Sequence, residues 1–191
     1  MSPFWLNFAA VEWLPCGGTA QQYRLSKGSL ARPNMMMGKK GKASTTKYDR
    51  ALKIAQAKEP PPRIVYDLLL AADKEGDGRA TYALATWHLF GSPYTKIDYR
   101  VANKMLKQAA DKGVAAAAYD LAISYEKGLG IGKSLPRAFE FYVRAALLGD
   151  AQSHHEVGRM YFFGLGAPRN RRLSEVWFAK AETLGVKDTK R

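Results

Sequence analysis

The chain has one cysteine, Cys16, among its 191 residues. No intrachain disulfide can form, so a small scaffold stapled by cystines is excluded. Histidine is nearly as scarce, with His88, His154 and His155 the only three. Scattered this way they support no Ser-His-Asp arrangement, and no pair of carboxylates stands out to serve as acid and base. No catalytic residue set, cofactor site or metal site is expected, and the chain reads as a non-enzyme. Long apolar runs are also missing: none reaches the roughly 20 residues that a membrane-spanning helix needs. The apolar stretch from Phe4 to Cys16 is interrupted by Glu12 and preceded by no Lys or Arg, which makes a poor secretion signal. Arg24 and Arg32 are too sparse for an Arg-rich presequence, so the cytoplasm is the default expectation.

Acidic side chains are outnumbered, with 17 Asp and Glu against 30 Lys and Arg and a formal net charge of +13. The imbalance is uneven. Residues 1–63 carry 11 basic and 3 acidic side chains, whereas residues 64–191 carry 19 and 14. The run Gly38-Lys39-Lys40-Gly41-Lys42 and the residues up to Lys47 read as a flexible basic arm. The expected division is therefore a flexible basic segment over 1–44 and a folded domain over 45–191. Residues 1–34 match no repeat and show no clear periodicity, and one hypothesis is that they are an upstream extension, with translation starting at Met35, Met36 or Met37.

What the folded part does have is repetition. Leu121, Ala122, Tyr125, Gly128, Gly130, Ala138, Phe141, Ala145 and Gly149 recur thirty-six residues later as Val157, Gly158, Tyr161, Gly164, Gly166, Ser174, Trp177, Ala181 and Gly185. Each position keeps its character. A sustained period in the thirties is the signature of stacked helical units. An earlier copy contains Ala85, His88, Gly91, Ala102, Met105, Ala109 and Gly113, with one extra residue between Gly91 and Ala102. A loop absorbs such an insertion at little entropic cost. The units run over 79–114, 115–150 and 151–187, with a degenerate one over 45–78 that includes Ala51, Leu52, Ala55, Ala72 and Gly76.

Within a unit the spacing is helical. Ala118, Leu121, Ala122 and Tyr125 run i, i+3, i+4, i+7. Gly128 stops that helix, because glycine accepts the left-handed backbone of a C-terminal cap. Pro136 opens the next, where its missing N–H costs nothing. Ala138, Phe141, Tyr142 and Ala145 form the second stripe. Each unit is helix–turn–helix, and the regular small residues let helices approach closely. Forcing Leu into Ala122 or Ala145 would overpack that contact at a cost of roughly 1–3 kcal/mol.

The pattern Leu121-Ala122, Tyr125, Gly128-Leu129-Gly130-Ile131, Arg137-Ala138, Tyr142, Ala145-Ala146 and Gly149 resembles the Sel-one-like repeat, a relative of the tetratricopeptide repeat. The next copy departs from it at Ala167 and Leu173-Ser174, and the earlier one has Gly91-Ser92-Pro93 in place of the double-glycine loop. The likeness covers about residues 64–187. It implies an all-α, right-handed α-solenoid of three to four helix pairs, acting as an adaptor or scaffold for a protein or peptide partner. It also implies that first helices line a concave face, which places Tyr82, Thr86 and Leu89, then Tyr119, Ile123 and Glu126, then His155, Arg159 and Phe162 on that face. Tyr82, Tyr119 and His155 would form a ladder of rings.

The last helix offers a second candidate surface. Leu173, Val176, Trp177, Phe178 and Ala181 make it apolar, with no further repeat to cover it, whereas terminal repeats normally have a polar outer face. A partner docked on this end, a homodimer through Val176, Trp177 and Phe178, or a fold-back of the tail from Lys187 to Arg191 would meet that need. The basic arm and Arg169, Arg171 and Arg172 suggest an alternative partner, nucleic acid or an acidic surface. No aromatic residue interleaves Lys39, Lys40 and Lys42, so base stacking lacks its usual support. Gly132-Lys133-Ser134 imitates the end of a phosphate-binding loop, but Lys127 stands where the first glycine is needed and a helix, not a strand, precedes. His154-His155-Glu156 lacks a second ligand at i+4. His88, in the place of Tyr125 and Tyr161, reads as a packing residue, and Asp111, Asp150 and Glu182 as solvated helix faces.

Overall fold

A computed structural model describes residues 46–57 and 61–186. The basic arm up to Lys42, the extension over 1–34 and the tail from Lys187 lie outside the described residues. The described residues form eight helices and no strand: α1 (Lys47–Ala55), α2 (Pro62–Lys74), α3 (Gly78–Phe90), α4 (Tyr99–Asp111), α5 (Ala115–Lys127), α6 (Leu135–Leu147), α7 (Ala151–Phe163) and α8 (Arg171–Thr183). Two compact units divide the chain, with the boundary between Leu68 and Leu69, inside α2.

In the first unit, α1 begins at a reciprocal cap. The Thr46 hydroxyl accepts the Asp49 N–H at 3.1 Å, and the Asp49 carboxylate accepts the Thr46 N–H at 3.2 Å. Both donors would otherwise be orphaned at a helix start. Ala51 and Ala55 are buried, and Leu52 is exposed.

The second unit is an all-α solenoid of paired helices. Each helix packs on the next along the chain, α3 on α4, α4 on α5, and so on to α7 on α8. The expected stripes are the packing faces. Ala118, Leu121 and Ala122 on α5 and Ala138, Phe141, Tyr142 and Ala145 on α6 are buried in one apolar cluster with Ala85, Leu106 and Met160. Burying a side chain such as Leu106 or Leu121 contributes about 2 kcal/mol. The small residues set the helix separation. At Gly158 even a Cβ would come within 2.8 Å of the Phe178 ring.

The connections explain the glycine pattern. Gly128 and Gly164 adopt left-handed backbone, with φ of 76° and 72°, and cap α5 and α7. The second glycine of each loop has a different task. A side chain on Gly130 would strike Tyr99 at the start of α4, and one on Gly166 would strike the Leu135 carbonyl at the start of α6. Each loop therefore nests against the second helix of the preceding repeat. All three inner loops close alike: Ser134 N–H donates to the Tyr125 carbonyl and Asn170 N–H to that of Tyr161, both at 2.9 Å, and Asp98 N–H to that of His88 at 2.8 Å. The extra residue in the Gly91 loop bulges between fixed ends, held by a turn in which the Ser92 hydroxyl accepts the Thr95 N–H at 3.0 Å. Asp98, Ser134 and Asn170 then cap α4, α6 and α8 through their side chains. Ser134 of the phosphate-loop imitation is thus a helix cap. Asp150 is one too, accepting the Ser153 N–H at 2.7 Å, which corrects its reading as a solvated face.

Candidate functional site

Repeat geometry brings residues of α3, α5 and α7 to equivalent places. The three expected rings are half-buried, and two of them are held alike. Tyr119 meets the Tyr142 ring of α6 edge-on, with centroids 5.6 Å apart. His155 lies tilted against Phe178 of α8 at 5.1 Å. In both repeats the first-helix ring sits on an aromatic side chain of its own second helix. The Tyr82 hydroxyl instead reaches the next first helix and donates to Asp120 Oδ2 at 3.0 Å.

A second link joins α5 to α7. Arg159 donates from one terminal nitrogen to Glu126 Oε1 and from Nε to Glu156 Oε2, both at 2.7 Å. The Tyr142 hydroxyl donates to Glu126 Oε2 at 2.9 Å. Both Glu126 oxygens are therefore used. His155 Nδ1 lies 3.6 Å from Glu156. Partial burial makes these groups respond to one another more than fully hydrated charges would.

The ionisation of these groups follows from their surroundings. Burial opposes charge on Glu156, but the neighbouring His155 imidazole and the Arg159 guanidinium hold its carboxyl below the usual range. Burial also opposes the Arg159 charge, yet Glu156 and Glu126 outweigh it and keep the guanidinium protonated even more firmly than usual. Burial, then the Glu126 charge, pushes the Tyr142 hydroxyl up and keeps it a donor. Asp120 behaves oppositely to Glu156. Burial raises it, the Tyr82 hydrogen bond offsets part of that, the Asp150 charge adds to it, and the carboxyl is pushed up to about 7.

The other expected face residues divide. Ile123 is half-buried and Phe162 is exposed, whereas Thr86 and Leu89 are only 5% and 6% exposed. Leu89 belongs to the central apolar cluster, and the Thr86 hydroxyl is spent on the Ala83 carbonyl at 2.7 Å. Arg169 and Arg171 gather around Phe162: Arg169 Nε donates to its carbonyl at 3.1 Å and the Arg171 guanidinium lies 5.4 Å from its ring centre. Arg172 is exposed. On α8, Trp177 packs against His154 at 5.4 Å and Phe178 against His155, so both turn toward α7. Val176 is 61% exposed, and Leu173 and Leu184 are exposed as well. His154 is buried, with Nδ1 2.9 Å from the Asp150 carbonyl, so both members of the His-His pair serve packing. Among the described residues no group of three His, Cys, Asp or Glu could hold a metal, and no helix is long and apolar enough to cross a membrane.

Sequence reasoning missed Asp120, Glu156 and Tyr142. A signal for the first two was present: Asp120 and Glu156 are thirty-six residues apart, each directly after a ring position.

A family model described as Sel1 repeat matches residues 78–114, 115–150 and 151–186. The chain is 26% identical to Chitin synthase regulatory factor 2 of Schizosaccharomyces pombe over 172 residues, which is 85% of this chain and 33% of that protein. It is 30% identical to Chitin synthase regulatory factor 1 of the same organism over 116 residues, 60% of this chain and 25% of that one. It thus spans a third or less of these curated relatives. Among solved structures, a Sel1 repeat protein from Oxalobacter formigenes superposes with a TM-score of 0.58 at 31% identity, covering 62% of this chain and 90% of that one. The protective antigen c5321 of uropathogenic Escherichia coli, which displays an SLR fold, superposes with a TM-score of 0.68 at 25% identity, covering 73% and 30%.

Proposed function

From the premise that the chain belongs to the Sel1 repeat family, we propose that it is an adaptor that binds a protein or peptide partner along the face built by α3, α5 and α7. The fold is characteristically non-catalytic and generally serves as a protein–protein interaction scaffold. The names of the two curated relatives suggest that binding of this kind regulates another protein.

The observation that carries the reading is the partly exposed network on that face. Arg159 and Glu126, with 27% and 23% of their side chains accessible, are pre-aligned between two first helices by Glu156 and Tyr142. Beside them stand Tyr119, Ile123 and Phe162, an aromatic and aliphatic surface with a fixed charge pattern. Rings and arginine are the residue types that dominate binding energy, and side chains already ordered lose less entropy on binding. Thr86 and Leu89 drop out of the proposed contact set because they are buried.

The test is capture of partners from the source cell by the full chain and by an Ile123→Asp/Phe162→Ser variant, with thermal melts of both. Loss of specific partners with an unchanged melt supports the face. Full retention of the same partners contradicts it.

A further inference from the structure

A basin of about 350 Å³ lies between α4, α5 and the loop that follows α5. Its deeper side is Leu121, Tyr125 and Ile131, and its outer side is Arg100, Lys104 and Lys107. The three cations share one face of α4 with Asn103, at the spacing i, i+3, i+4, i+7. None of them belongs to the face assigned above.

The same place in the next repeat holds an aromatic pair. Thirty-six residues on, Arg100, Asn103, Lys104 and Lys107 become Pro136, Phe139, Glu140 and Val143, and Tyr125 becomes Tyr161. Phe139 packs edge-on against Tyr161 with centroids 5.1 Å apart. Asn103 is too short to do this for Tyr125, and the basin occupies the space that Phe139 fills one repeat later.

Asn103 is not a simple truncation. It is only 5% exposed, and its Nδ2 donates to the Leu129 carbonyl at 2.6 Å. A carbonyl only accepts, which fixes the orientation of the amide. The other amide atom, Oδ1, is buried with no hydrogen-bond partner among the described residues. A buried acceptor without a donor is unfavourable, so the residue is held here at a cost to the fold. Lys107 is paired with Asp111 at 3.0 Å, whereas Arg100 and Lys104 make no ion pair among the described residues.

We propose that this basin binds an acidic peptide segment of a protein partner. The segment supplies carboxylates to Arg100 and Lys104 and an apolar side chain to Tyr125 and Ile131. A peptide alternates acidic and apolar side chains in this way, whereas a phosphodiester backbone brings its charges without apolar side chains between them. The Tyr125 ring already carries Phe141 at 5.5 Å and Arg137 at 5.8 Å, which leaves it for edge contact rather than for stacking a base.

Fluorescence anisotropy of the full chain with a labelled eight-residue peptide of alternating Glu and Leu, at physiological salt, tests this. Asn103→Phe keeps every charge and fills the basin with a ring like that of Phe139, and it is expected to weaken binding about tenfold, as is Arg100→Gln/Lys104→Gln. Unchanged binding by Asn103→Phe, or no binding by the wild type, overturns the proposal. So does tighter binding of a thymidine oligonucleotide of equal charge that depends on the same residues. Should Asn103→Phe melt early, the wild type still decides: the peptide is expected to shift the NMR signals of the Asn103 side-chain amide and the Gly130 N–H, and unmoved signals overturn the proposal.

Discussion

Ala85, Ala122 and Gly158 share one repeat position, and all are buried where helices meet. Leu89, Glu126 and Phe162 share another, on the same helices, and are buried, half-buried and exposed in turn. The first position is seam and the second is face. At the seam, distance between backbones decides what fits, so the sequence returns to Ala, Gly or Ser at every period. On the face, each repeat places a different side chain on the same frame. The seam carries the fold, and the face and the broken period at Asn103 carry what distinguishes this chain from another built on that frame.

The comparison breaks most sharply at the loop glycines, which belong to the seam although they lie in turns. Gly166→Ala puts a Cβ on left-handed backbone, φ 72°, and against the Leu135 carbonyl. A loss of about 3 kcal/mol in a chemical melt is expected, with the third repeat loosened first. A loss below about 0.5 kcal/mol would mean that the loop does not hold the repeats together.

Asp120 tests whether the face is independent of the fold. Its carboxyl is raised to about 7 from an ordinary 3.8, so between those values the folded chain holds a proton that the unfolded chain has released. Stability from this group is therefore full below pH 4, falls as pH rises, and levels off above 7. Asp120→Asn keeps an acceptor for Tyr82 without the charge. From pH 5 to 7.5 the variant is expected to gain about 2–3 kcal/mol on the wild type in melts at each pH. A constant difference across that range would remove the assigned role of burial.

Ser174 sharpens the seam from the other side. It replaces the alanine found at 138, is 1% exposed, and its hydroxyl has no partner among the described residues. Ser174→Ala is expected to stabilise by about 1 kcal/mol in the same melts, because a buried hydroxyl without a hydrogen bond is removed. Phe162→Ser has the smallest effect on the fold, within about 0.5 kcal/mol. A collapse of the melt in that variant would make Phe162 seam rather than face.

The seam was legible in the sequence. Thirty-six-residue identity found the helix pairs, the capping glycines and the one-residue insertion, because packing distance imposes the same residue at every period. The face was legible only in part. The ring positions Tyr82, Tyr119 and His155 followed from the resemblance to tetratricopeptide-like arrays, but the partners Asp120, Glu156 and Tyr142 did not. Hydrogen bonds join whichever polar atoms happen to meet, and no period requires Tyr82 to reach Asp120 while Tyr119 rests on Tyr142. Trp177 and Phe178 read as outward-facing for a similar reason: an apolar stripe shows which residues are buried, not which neighbour buries them. Leu89 was placed on the face by its repeat position, and it lies instead in the apolar cluster.

Hydrogen exchange of the full chain, with and without a partner captured from its own cell, puts the division of seam and face to its most direct test. New protection over residues 119–126 and 155–162, with the seam over 138–146 unchanged, is the expected result. Protection confined to 171–183, with 119–126 and 155–162 exchanging as in the free chain, would contradict it and move the partner to α8.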